Sequence, residues 1–204
     1  MELLYNFPVY ESILNEDSVG IYAVSLVNNP AMEVNFIACS KDKEKKDNHI
    51  KCNILDDEQH IIMAVIARAD FPFLQYSEIV GYYYTYFSKE TLKEVAQRLL
   101  KSNFQNNINI EHTDTYVDGV EMRELFLKDV GRGINPIGFE EVEDGSLMVT
   151  YKILNDDIWS AIKMGVYKSI SLEGFFPAVE VVCKQSTEID SVEDLENYLN
   201  DLNK

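Results

Sequence analysis

Residues 61–67, IIMAVIA, form the longest apolar run in the chain. A bilayer-spanning helix needs about 20 apolar residues, so this run excludes a membrane anchor of its own. It is also too short and too uniformly apolar for an amphipathic helix, and reads as a strand buried on both faces. Residues 79–87, IVGYYYTYF, then give an aromatic, β-branched strand with Gly81 as a bulge or bend. A strand covered on both sides needs partners in its own sheet and further layers above and below. With 46% hydrophobic residues, including twelve Tyr and ten Phe, the chain has enough material for such layers.

Other segments fit the same picture. Residues 20–39, GIYAVSLVNNPAMEVNFIAC, predict two strands around an Asn-Asn-Pro turn. Residues 40–58, opening SKDKEKKDNH, predict a mobile charged loop. Ser88 is a good N-cap for a helix with Leu92, Val95, Ala96, Leu99 and Leu100 at i, i+3, i+4, i+7 and i+8, ended by residues 103–107. INIEH (108–112) predicts a short strand with Ile108, Ile110 and His112 on one face. Residues 120–130 and 147–154 predict further strands, separated by Gly-containing turns. Asp156 caps a short helix that buries Ile158, Trp159 and Ile162 and stops at Gly165. Residues 166–182 predict one or two strands, and a capping-box-like Ser191 opens an acidic helix. Several strands per helix predict an α+β fold, an antiparallel β-barrel or sheet flanked by a few helices, over 1–183, with 184–204 as an acidic C-terminal helix.

The net charge of −17 repels phosphate backbones and argues against nucleic acid as a partner. Three cysteines, Cys39, Cys52 and Cys183, cannot all pair, which predicts reduced thiols in a cytosol. The opening MELLYNFPVY lacks a basic region followed by an apolar one, so no leader is expected.

Dinucleotide, P-loop, zinc-protease and C-x-x-C patterns are all missing from the sequence. Cys39, His49 and Cys52 have no standard zinc spacing, and no metal or cofactor is expected. Of the three histidines, His49 lies in the charged loop and His60 at the edge of a buried strand. His112 ends a short apolar strand and precedes a polar turn, a rigid place with room for a substrate. On position alone a structural histidine remains the simpler reading. In KSISLEG (168–174), alternation puts Ser169, Ser171 and Glu173 on one strand face. Such a face is usually a solvated one, and serine is a nucleophile only with a base and oxyanion donors at hand.

The blocks YYYTYFSKETLKEVAQRLLKS, NINIEH, RELFLKD and LMVTYKILNDDIWSAIKMGVYKSISLEG follow one another in order, after VGIYAVSLVNNPAMEVNFIA. Together they resemble the prohead maturation proteases of tailed phages, in the phage serine protease branch, over roughly residues 20–176. The resemblance implies an assemblin-like fold with His112 as general base and Ser171 as nucleophile. Ser169 stands where relatives carry Gly and competes with Ser171. For the third member the resemblance leaves Glu173, with Glu124 as alternative, while Asp114 sits in a turn. It also implies scaffolding protein and major capsid protein as substrates, in the host cytoplasm within a procapsid or virion, with the oligomeric state open. A catalytically inactive, protease-like binding module is the alternative, and an acidic chaperone-like partner for a basic protein is a weaker one.

Overall fold

The structure, a computed structural model, describes residues 7–15, 20–28 and 53–181. The Asn-Asn-Pro turn beyond Asn28, the second N-terminal strand, residues 40–49, all three cysteines, His49 and the acidic C-terminal helix lie outside those residues. Among the described residues, no helix is long and apolar enough to cross a membrane.

The elements are β1 (Val9–Ser12), β2 (Gly20–Val27), β3 (Asn53–Asp56), β4 (Ile61–Ala67), β5 (Phe73–Ser77), β6 (Gly81–Phe87), α1 (Lys89–Ser102), β7 (Ile108–Ile110), β8 (Val120–Leu127), β9 (Leu147–Ile153), α2 (Asp156–Lys163), β10 (Ser169–Phe175) and β11 (Ala178–Val181). They form an α+β fold of three open sheets, in the orders β11-β1-β6-β5, β10-β2-β7 and β3-β4-β9-β8. Pairing is antiparallel except for β1 with β6 and β2 with β7, and among the described residues none of the sheets closes into a barrel.

The run 61–67 occupies the second position of its sheet, between β3 and β9, and is apolar on both sides for a visible reason. Ile62, Ala64 and Ile66 face the main core with α1, α2, β2 and β10, whereas Met63 and Val65 join Phe139, Val142 and Met148 beneath a covering loop. In α1, Ser88 accepts a hydrogen bond from the Thr91 N–H, and Leu92, Val95 and Leu99 are buried against the core. Asn103, in a left-handed conformation, ends the helix.

Four expectations are corrected. Residues 53–56, assigned to the charged loop, form β3 and pair with β4. FPFLQ, for which no strand was expected, supplies most of β5, the hairpin partner of β6. The cap of α2 is Asn155, whose side chain accepts from the Asp157 and Ile158 N–H groups, so Asp156 is already helical. β7 ends at Ile110, because Glu111 and His112 have φ of 50° and 56° and leave the extended conformation. His112 therefore does not share a strand face with Ile108 and Ile110.

Candidate active site

The sheet β10-β2-β7 turns Val24, Leu26, Ile108 and Ile170 into the main core. Its opposite face carries Ser25, Asn109, Ser169, Ser171 and Glu173 beside the apolar Ala23 and Val27. Ser25 of β2 sits directly across from Ser171 of β10 and beside Asn109 of β7. Strand alternation puts Ser169 and Glu173 on that face with Ser171, as the sequence suggested.

His112 reaches this face from a tight turn. The Thr113 N–H donates to the Ile110 carbonyl at 3.0 Å, closing a four-residue turn whose two central residues, Glu111 and His112, are both left-handed. Each such residue costs roughly 1–2 kcal/mol when it is not glycine. The surroundings hold the strain in place. The Glu111 N–H donates to the Leu26 carbonyl, the Glu111 carboxylate accepts from the Asn28 N–H, and the Ile110 N–H donates to Thr115 across the hairpin. The result is a fixed imidazole with 41% of its side chain exposed.

The His112 Nδ1 lies 3.0 Å from the Ser25 hydroxyl and 3.7 Å from Glu173 Oε2. Ser25 donates to Asn109 Oδ1 at 2.5 Å, with Glu173 Oε2 a second acceptor at 3.3 Å. Asn109 Nδ2 donates to the same Glu173 oxygen at 2.5 Å, and the Tyr22 hydroxyl donates to Oε1 at 3.2 Å. Burial, then the charge and hydrogen bond of Glu173, raise the Tyr22 phenol above its ordinary pKa and keep it a donor. The Nε2 edge of His112 has no protein hydrogen-bond partner among the described residues.

Of the residues singled out in the sequence, His112 and Glu173 are brought together, and Ser171 is one strand spacing from the Ser25 that links them. Ser171 is half-buried, and its hydroxyl makes no side-chain hydrogen bond among the described residues, including none to His112. Ser169 is only 5% exposed. Glu124 belongs to another sheet, where it accepts from the Thr150 hydroxyl, and Asp114 is exposed in the turn. Sequence reasoning missed Ser25, Asn109 and Tyr22. Their signal is polarity inside apolar strands: Ser25 is 0% and Asn109 1% exposed, in GIYAVSLV and INI. Among the described residues, no cluster of His, Cys, Asp and Glu could hold a metal.

Glycine at 174 is required by close approach. A Cβ there would stand 2.7 Å from the Gly20 carbonyl oxygen and 2.6 Å from the Phe176 ring, at the bulge that follows Glu173. Gly174→Ala is expected to cost about 1–3 kcal/mol by overpacking. Urea unfolding would measure it, and an unchanged midpoint would contradict the close contact.

The sequence model of a protein family described as "Putative phage serine protease XkdF" matches residues 53–180. That span is well over half of the chain and contains Asn109, His112, Ser171 and Glu173, while Ser25 precedes it. No curated protein and no solved structure matches.

Proposed function

Because the chain belongs to this family of phage serine proteases, we propose that it is a serine endopeptidase in which Ser171 is the nucleophile, His112 the general base and Glu173 the acid that orients it. The observation that carries this reading is the way His112 is held. Its Nδ1 edge is engaged by Ser25 near Glu173, while among the described residues its Nε2 edge has no protein partner and Ser171, one strand away, makes no side-chain hydrogen bond. A base needs one edge fixed and the other available.

Ser25 is closer to the imidazole, but it is fully buried and its proton is directed at Asn109 or Glu173. A buried hydroxyl cannot meet a peptide carbonyl. Ser169 is buried as well, so Ser171 is the best-exposed of the three serines.

In the reaction His112 Nε2 takes the Ser171 proton as Oγ bonds to the substrate carbonyl carbon. The tetrahedral oxyanion is held by backbone amides following the Ser171 strand, and collapse expels the amine with the proton from Nε2. Water then reverses the sequence and frees the acid. The substrates in this reading are scaffolding protein and the N-terminal region of the major capsid protein, cut inside a procapsid in the host cytoplasm. Enclosure with the substrate tolerates slow turnover.

A fluorophosphonate probe tests the chemistry without knowing the cleavage site. Stoichiometric labelling at Ser171, lost in His112→Ala, is the expected result. Folded protein without label would favour a protease-like binding module, the reading consistent with the missing Ser171–His112 hydrogen bond. Co-expression with scaffold and capsid protein tests the substrates separately: processing should stop in Ser171→Ala.

A further inference from the structure

We propose that Ser25 and Asn109 are positioning residues that fix the His112 imidazole as its Nδ1–H tautomer, with Glu173 acting on it through them. This rests on the reading of His112 as the base, and it follows from counting protons.

A carboxylate only accepts hydrogen bonds. Glu173 Oε2 therefore takes the Asn109 Nδ2–H at 2.5 Å, which turns Asn109 Oδ1, also an acceptor, toward Ser25. Three groups within reach could accept the single Ser25 proton, Asn109 Oδ1 at 2.5 Å, His112 Nδ1 at 3.0 Å and Glu173 Oε2 at 3.3 Å. The 2.5 Å contact with Asn109 Oδ1, which brings no proton of its own, would be repulsive without it, so the proton lies there and the Ser25 oxygen has none left for His112. At 3.0 Å from Nδ1 it must then accept, and the proton of that bond sits on Nδ1. Nε2 keeps its lone pair, the state a general base requires.

The direct His112–Glu173 separation of 3.7 Å is too long for a hydrogen bond. Glu173 works through the two intervening side chains, and its charge still favours the imidazolium that forms when Nε2 takes a proton. Ser25 and Asn109 touch neither substrate nor reacting atoms in this scheme. The same proton count removes Ser25 as nucleophile, since His112 gives it a proton and takes none.

The tautomer can be read directly. The chain holds three histidines, so imidazole ¹⁵N shifts of the full-length protein are assignable by loss of one set in His112→Gln. The wild-type protein is expected to carry the proton on Nδ1. Ser25→Ala, and Ser25→Cys, which keeps the volume with a weaker donor and acceptor, should lose that preference. Ser25→Thr, which retains the hydroxyl, should restore it. Fluorophosphonate labelling of Ser171 should slow by about 10- to 100-fold in Ser25→Ala and recover in Ser25→Thr. A wild-type proton on Nε2, an unchanged tautomer in both Ser25→Ala and Ser25→Cys, or label on Ser25 itself would overturn the proposal. If the wild-type chain takes no label at Ser171, the nucleophile assignment fails, and the tautomer comparison still decides the role of Ser25.

Discussion

Ser171→Ala and His112→Ala are each expected to slow peptide cleavage by about 10³-fold or more, with the double variant no slower than either single one. Nucleophile and base act as one unit, so removing the second partner after the first removes nothing further. Packing alone would instead give effects that add. Time courses of capsid-protein processing, with all variants checked for folding, would measure this. Additive losses, or a Ser171→Ala variant as fast as the wild type, would end the assignment. Ser169→Ala, at a residue 5% exposed, should stay within a few-fold.

Lys128→Met should lower stability by about 2–4 kcal/mol, a large fraction of what holds a domain folded. Lys128 is only 2% exposed, and its Nζ donates to the carbonyls of Phe139, Glu140 and Val142 at 2.8, 2.9 and 2.7 Å. This ammonium ties down the loop that covers Met63, Val65 and Met148. Methionine fills similar space but leaves those carbonyls without that donor, and among the described residues only the Phe139 carbonyl keeps a backbone bond, from the Val142 N–H. Urea unfolding would read the loss, and a variant within about 0.5 kcal/mol of the wild type would show that the loop is held by its apolar contacts.

The fold was legible where one periodicity or one cap decides the element. The α1 spacing, the Ser88 cap and the doubly buried run 61–67 are of this kind, since each depends on residues close in sequence. β3 and β5 were not foreseen, because NILD and FLQYS are short and owe their extended form to the neighbours they pair with. The candidate site divides in the same way. Alternation along one strand sufficed to put Ser171 and Glu173 on a common face. The contacts of His112 were illegible, since Ser25 and Glu173 reach it from strands far apart in the chain. The left-handed pair at 111–112 was not legible either, because Glu111 is held there by the Leu26 carbonyl and the Asn28 N–H, at the end of a strand far away in the chain.

The separation between Ser25 and Glu173, 148 positions along the chain, also governs when the site can exist. β2 acquires its antiparallel neighbour only after residues 169–175 have left the ribosome, and β1 waits still longer for β11. Such a topology has high contact order and folds slowly, because distant segments must meet before any of these pairings is rewarded. A nascent chain that has made His112 has neither Glu173 nor Ser171. Synthesis itself therefore delays the assembly of the reacting groups until the sheet that positions them is complete.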